Sequence, residues 1–165
     1  MKFYFDVIKK YEIKNNIKKI NLNKIIIFSG VSKNKNDKNY IKNIFNSMEY
    51  LFQQKPVFSK IKKSISNFKS KIGDIASIYL TLRKKKMWEF YHKLVCVVLP
   101  KIKEFKGINC NKIDRFGNIH FGINDISVFP DYYNEFKFGI NISIILKNIF
   151  NNFKNFYKII NFPIK

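Results

Sequence analysis

The stretch Val57-Phe58-Ser59-Lys60-Ile61-Lys62-Lys63-Ser64-Ile65-Ser66-Asn67-Phe68-Lys69-Ser70-Lys71-Ile72-Gly73-Asp74-Ile75-Ala76-Ser77-Ile78-Tyr79-Leu80-Thr81-Leu82 decides the fold. Its ends are apolar, with Val57, Phe58 and Ile61 on one side and Ile75, Ile78, Tyr79, Leu80 and Leu82 on the other, and each end reads as a strand. Between them lies a tip rich in Lys and Ser. The pattern predicts two strands, antiparallel when joined in this way, that flank a long, Lys-rich tip, the basic stretch Lys60 to Lys71. Phe68 is the one large apolar side chain between Ile65 and Ile72, which is little to bury against the entropy of ordering the loop.

Upstream of the hairpin, Ile41, Ile44, Phe45, Met48, Leu51 and Phe52 recur at helical spacing after Asp37, a candidate cap, and Pro56 closes the element. Ile20, Leu22 and the run Lys24 to Phe28 read as a strand ending at Ser29-Gly30. A basic, loosely amphipathic helix is expected over Tyr4 to Ile17. Downstream, a helix is expected from Met87 to Leu99, halted by Pro100, and Gly107, Gly117 and Gly122 divide the next third into turns and strands. Ile140 to Leu146 is a β-branched strand, and Ile149, Phe150, Phe153, Tyr157 and Ile160 mark a last helix before Pro163. Strands interleaved with helices give an α+β class with a mostly antiparallel sheet. The expected organisation is a single domain over residues 1–165, with an N-terminal helical segment at 1–19 and the protruding loop at 62–73.

The composition narrows the function. The 165 residues carry 32 Lys plus Arg against 11 Asp plus Glu, a formal charge of +21. Hydrophobic residues make up 46%, enough for one core without disulfides or metal and too many for wholesale disorder. Runs such as Leu94 to Leu99 are too short to span a bilayer, which takes about 20 apolar residues. Charge at this density calls for a polyanionic partner. Arg83 and Arg115 are the only arginines, so the remaining cations are Lys, which meets phosphate as a point charge and lacks the fork that reads bases. Backbone and shape recognition is therefore favoured. Abundant Lys, Asn, Ile, Phe and Tyr beside a lone Ala76 and a lone Trp88 match AT-rich codons, typical of organelle genomes. Lys2 to Asp6 shows neither a secretory order of segments nor a presequence, as expected of a protein made where it works. Cys96 and Cys110 form no scaffold pattern and are expected to be reduced.

Motifs for catalysis are missing: no phosphate-binding Gly-rich loop, HExxH, CxxC or GxSxG occurs. His92 and Cys96 could be half of a metal site, yet zinc needs three or four ligands and only Cys110 and His120 remain as partners. The blander reading is a core cysteine beside a half-exposed histidine. Asp114, Asp125 and Asp131 near His120 read as turn formers. No catalytic residue, metal or cofactor is expected. In contrast, Lys60, Lys62, Lys63, Lys69 and Lys71, interspersed with Ser59, Ser64, Ser66, Asn67 and Ser70, offer charges and hydroxyl donors along an RNA backbone.

A collinear set of short motifs then carries a resemblance. Gln54-Lys55-Pro56-Val57, Lys62-Lys63-Ser64-Ile65, Phe68-Lys69, Gly73, Leu80-Thr81-Leu82-Arg83, Met87-Trp88-Glu89-Phe90, Leu99 to Gly107, Gly117-Asn118, Gly122-Ile123 and Phe129-Pro130 follow one another in this order. In that order and spacing the chain resembles the universal large-subunit ribosomal protein five family, in an organellar form. The likeness runs from about Ile20 to Lys165. It implies a structural constituent of the large ribosomal subunit, with a sheet docked on 5S ribosomal RNA, a surface on large-subunit ribosomal RNA in the central protuberance, and a loop reaching the peptidyl-site transfer RNA. It implies also a bridge to a small-subunit head protein. Carried over by motif, ribosomal RNA contacts fall on Gln54, Lys55, Lys60, Thr81, Arg83 and Asn141. The transfer-RNA loop carries Lys62, Lys63, Ser64, Phe68, Lys69, Lys71 and Gly73. The sequence departs from the family at Phe28, where an Asn is usual, at Ser32 in the following turn, and at Phe138-Gly139-Ile140-Asn141, where Arg-Gly-Met-Asp is usual.

The resulting expectation is a non-enzymatic, RNA-binding protein of translation, in the mitochondrial matrix ahead of the plastid and with no membrane partner. The competing reading, a small organellar RNA-processing enzyme, needs a carboxylate cluster or a His pair meeting at one site, and the sequence supplies neither. A peripheral membrane protein would concentrate Lys on amphipathic helices, whereas here Lys is spread over loops as well.

Overall fold

Alternation and stripe decide the local structure. A computed structural model describes residues 21–31, 37–68, 70–147, 157–158 and 160–164, with the backbone alone at Asn21, Phe68 and Cys110. Its elements are β1 (Asn21–Gly30), α1 (Lys38–Phe52), β2 (Val57–Lys60), β3 (Ile75–Leu82), α2 (Lys84–Lys93), β4 (Ile119–Ile123) and β5 (Ile140–Lys147). The strands form a five-stranded antiparallel sheet in the order β2-β3-β1-β5-β4, so the class is α+β as the sequence predicts. The expected helix over Tyr4 to Ile17 and most of the one over Ile149 to Ile160 lie outside the described residues. By their contacts the described residues gather into two compact units, one from 1–25, 82–121 and 143–165, the other from 26–81 and 122–142.

In the unit of 26–81 and 122–142, α1 begins where Asp37 accepts a hydrogen bond from the Tyr40 amide at 3.0 Å, satisfying one of the donors a helix start leaves open. It buries Ile41, Ile44, Met48, Leu51 and Phe52, the apolar stripe, while Lys42, Asn43, Asn46 and Glu49 stay exposed. Complete burial of a side chain such as Ile44 or Met48 contributes about 1.5–3 kcal/mol. The helix ends at Gln53, which turns left-handed at φ 49°, so Pro56 follows the stop rather than making it. Aromatic pairs fix the neighbours: Phe45 stacks on Phe58 at 5.0 Å between centroids, Phe52 meets Phe129 edge-on at 6.0 Å, and Tyr40 meets Phe136 at 5.3 Å. Ser29, buried on β1, donates to the Gly139 carbonyl at 2.8 Å. Replacing the cap, Asp37→Ala, should cost about 0.5–2 kcal/mol. Urea titration should show a lower midpoint with an unchanged slope.

In the other unit, α2 starts three residues before the sequence predicts, because Lys84 to Lys86 carry no apolar marker and the periodic signal begins only at Met87. Its end differs too. The chain continues through a π-helical turn, Leu94–Val98, in which the Leu99 amide donates to the Leu94 carbonyl, and one helical turn, Leu99–Lys101, before leaving at Ile102. Pro100 sits within that last turn instead of halting the helix; the widened turn lies where its ring would otherwise crowd the carbonyl of Cys96. The register puts Leu94, Val98 and Leu99 inside and leaves Cys96 exposed, which corrects the expectation of a core cysteine.

Two buried tyrosines pin this unit. Tyr91 donates to the Ile160 carbonyl at 3.1 Å and Tyr157 to the Gly117 carbonyl at 2.7 Å. Both rings pack on Phe162, Tyr91 at 6.0 Å and Tyr157 at 5.6 Å between centroids. The tail is tied in by the Ile108 amide donating to Pro163 and a bridge from Ile108 to Ile164.

Candidate nucleic-acid interface

The hairpin forms as the alternation predicts. Val57 lies opposite Tyr79, Phe58 opposite Ile78 and Ser59 opposite Ser77, with a shift of register before Lys60 meets Ile75. Beyond this ladder the tip closes itself with backbone and hydroxyl bonds where a hydrophobic core is lacking. Ile61 and Gly73 are joined through the Gly73 amide at 3.0 Å, and the Ile61 amide reaches the Asp74 carbonyl at 2.9 Å. Ile65 and Ser70 exchange backbone bonds at 3.2 and 3.3 Å. The Ser64 hydroxyl accepts from the Ile72 amide at 3.0 Å, and the Asp74 carboxylate from the Lys71 amide at 3.1 Å. Gly73 has φ +92°, a conformation glycine adopts without Cβ strain, which lets the tip re-enter β3.

These bonds use main chain and small polar side chains, and they leave the cations outward. Lys55, Lys60, Lys62, Lys63 and Lys71 are exposed, and among the described residues none of them forms an ion pair. Elsewhere Lys85 meets Glu89 at 3.8 Å and Lys137 meets Asp125 at 3.9 Å, both pairs exposed and of small energetic weight. The tip also exposes Ile65 and Ile72, at 49% and 69%. Lys69 and the Phe68 ring, two of the expected transfer-RNA contacts, lie outside what is described.

The expected ribosomal RNA residues fall into four places, the first being Lys60, exposed at the end of β2. Gln54 and Thr81 come together, the Gln54 side-chain amide donating to the Thr81 carbonyl at 3.0 Å, with Lys55 next to it in the chain. Asn141 is exposed on β5, and Gly122 of β4 leaves room for it, since a Cβ there would lie 3.0 Å from the Asn141 Oδ1. Arg83 belongs to the other unit. Its Nη1 donates to Asn23 Oδ1 at 3.3 Å, a partner sequence reading missed, and most of the exposed guanidinium remains available for planar contact. Asp74, which helps close the tip, was likewise invisible as a site residue; its signal is only the usual turn chemistry.

Among the described residues the catalytic alternatives find no geometry. Cys96 Sγ lies 3.8 Å from His92 Nε2, and among the described residues no group of three or more His, Cys, Asp or Glu is placed to hold a metal. Asp114 organises a turn, accepting from the amides of Phe116 and Asn118 at 2.8 Å and from the Asn118 side chain at 2.7 Å. Burial opposes its ionisation, but the bonds from Asn118, Phe116 and His120 outweigh it and hold the carboxyl below the usual aspartate range. Asp125 caps the turn at Ile126–Val128 through Ser127 and is lowered mainly by that backbone bond. No helix among the described residues is long and apolar enough to cross a membrane.

Comparison with known proteins gives these features a context. The chain matches the family model described as Ribosomal protein L5 over residues 15–71 and the model for the C-terminus of that ribosomal family over residues 75–161. It is 32% identical to the large ribosomal subunit protein uL5 of Helicobacter pylori (strain G27) over 164 residues, covering 96% of this chain and 91% of that protein. It is 38% identical to the large ribosomal subunit protein uL5m of Reclinomonas americana over 131 residues, covering 79% and 72%. To the uL5 protein of Blochmanniella floridana it is 33% identical over 127 residues, covering 77% and 67%.

Proposed function

This chain belongs to the ribosomal protein L5 family, whose members are structural, non-enzymatic components of the ribosome, and from that premise we propose the contacts it makes in the large subunit. It binds ribosomal RNA, 5S or large-subunit RNA in the central protuberance, through Gln54, Lys55, Lys60, Thr81, Arg83 and Asn141. The tip of residues 62–73 reaches the peptidyl-site transfer RNA, and a further surface meets a protein of the small-subunit head. The whole chain serves as one RNA-binding domain. Its ribosome is mitochondrial, a reading supported by the AT-rich residue usage and by the likeness to the uL5m protein of Reclinomonas americana. The observation that carries the proposal is the row of exposed lysines from Lys55 to Lys71, unpaired with carboxylates among the described residues, in a chain of charge +21. Such cations are held out for phosphate.

Sedimentation of the native protein in high salt, followed by sequencing of the RNAs that travel with it, tests this reading. Recovery in large-subunit particles with ribosomal RNA is expected; recovery in the soluble or membrane fraction would refute it. Excising Ser66 to Lys71 should leave incorporation largely intact, because Ile65 and Ile72 at the tip are exposed and the core lies elsewhere. Peptidyl-site occupancy should fall. Exclusion of the shortened chain from the subunit would contradict this division of labour. Arg83→Ala should cost about 1–3 kcal/mol of RNA affinity, and Arg83→Lys should recover little of it, since a bidentate or stacked contact needs the planar fork. Full recovery by Lys in a binding titration would show that only the charge matters there.

A further inference from the structure

The outward stripe of α1 differs from the Lys-rich surface elsewhere. Asn39, Asn43, Asn46 and Tyr50 recur at helical spacing along Lys38–Phe52, which sets them on one stripe away from the buried Ile41, Ile44 and Met48. All four are exposed, Tyr50 at 64%. Among the described residues no hydrogen bond, ion pair or ring contact engages their side chains. Tyr40, the other tyrosine of α1, is by contrast held edge-on by Phe136. Lys42 and Glu49 flank the stripe, which itself carries no charge.

A merely solvated helix face in this chain would be expected to carry Lys. Lys is the better helix former, because the short Asn side chain competes with the backbone for hydrogen bonds, and Asn43 and Asn46 lie in the helix interior where that preference counts. The AT-rich residue usage favours Lys as much as Asn, so it does not choose between them. The stripe therefore keeps a local cost that the fold does not call for, which is the mark of a contact surface. Its chemistry excludes a polyanion, since phosphate is met by cations and the stripe has none. Each carboxamide both donates and accepts, and Tyr50 adds a large ring with a polar tip. Tyr is enriched at the centres of protein interfaces, where Lys and Glu are depleted, and one aromatic anchor ringed by small polar groups is the usual arrangement of a binding hot spot. A Lys in the stripe would lose its water against a neutral surface and find no partner there. A second copy of this chain would bring two charges of +21 together, so the occupant is a different protein.

We infer that α1 docks through Asn39, Asn43, Asn46 and Tyr50 against an uncharged, hydrogen-bonding surface of another protein of the large subunit, with Tyr50 as the anchor. The inference goes beyond the RNA contacts proposed above and does not depend on which lysines make them. To test it, the full chain with a benzophenone amino acid in place of Asn46 is incorporated into large subunits, small subunits are removed, and the particles are irradiated. A crosslink to one other protein, destroyed by protease and resistant to ribonuclease, is expected. Adding Tyr50→Ala should lower its yield roughly tenfold or more, as for loss of an interface anchor, and so should adding Asn43→Lys. Tyr50→Phe, which keeps the ring, should retain most of it. In the free chain Asn43→Lys should leave the urea midpoint unchanged or raise it, so that its loss in the particle is a loss of contact and not of fold. A lowered midpoint would assign the amide to the fold of the unit and overturn the inference. It would also be overturned by a ribonuclease-sensitive adduct, by a crosslink to a second copy of this chain, or by one that forms only when small subunits are present. Particles that yield no adduct, or whose adduct survives Tyr50→Ala at the parental level, would show the stripe to be a solvated face, with RNA binding through the lysines left standing.

Discussion

Raising monovalent salt from about 50 to about 200 mM is expected to weaken binding of this chain to an RNA duplex roughly a thousandfold. The six lysines between residues 55 and 71 are Lys55, Lys60, Lys62, Lys63, Lys69 and Lys71. If each neutralises one phosphate, the logarithm of affinity falls against that of salt with a slope near −0.9 per contact, about −5 in all. A fourfold rise in salt then costs about three powers of ten. The five described members of that set form no ion pair, so no internal carboxylate needs to be displaced before they meet phosphate. Lys62→Gln with Lys63→Gln should flatten the slope by about 2 and leave the fold untouched, because both side chains are exposed. A slope near −1 in the parent would mean that the charge serves something other than a multi-phosphate contact.

How much of this was legible in the sequence depends on the range of the interaction concerned. The hairpin was legible because Ile78, Leu80 and Leu82 alternate with Tyr79 and Thr81, a local period that the sheet preserves. The stripe on α1 was legible for the same reason, and Asp37 as its cap because a short acceptor before an apolar stripe has few other uses. The start of α2 was not, since Lys84 to Lys86 are helical without an apolar marker, and neither was the π-helical turn that accommodates Pro100. Of the candidate interface, residue type was legible and juxtaposition was not. Charge counting singles out the lysines and motif order proposes Gln54 and Thr81, but that β1 lies beside β3 follows from a non-consecutive strand order. No local pattern encodes that neighbour. Arg83 illustrates the same limit, as its partner Asn23 is 60 residues away.

Tyr157→Ala should be among the most destabilising single changes in the chain, at about 3–5 kcal/mol, because its ring is wholly buried and the space it leaves cannot refill. For a chain of this size that corresponds to a fall in melting temperature of roughly 6 to 20 °C. Tyr157→Phe separates ring from hydroxyl. It keeps the contact with Phe162 but leaves the carbonyl of buried Gly117 without its donor, for a cost of about 1–3 kcal/mol. The pH dependence identifies the hydroxyl independently. Burial, and after it the negative charge of Asp114, push the phenol far above its ordinary value, so the folded state holds this proton where the unfolded chain releases it. Its stabilisation is complete below about pH 10 and declines as pH rises beyond that, and Tyr157→Phe should lose that part of the alkaline decline. Asp114 acts with the opposite sign: its folded pKa is depressed, so its contribution is present above about pH 4 and is lost as pH falls toward the lower folded value. Melting curves of Tyr157→Phe and Asp114→Asn across pH should therefore depart from the parent at opposite ends of the range. A Phe variant as unstable as the Ala variant would shift the weight from packing of the ring to the bond with Gly117. The salt slope of RNA binding should be the same in both, for neither change touches a lysine.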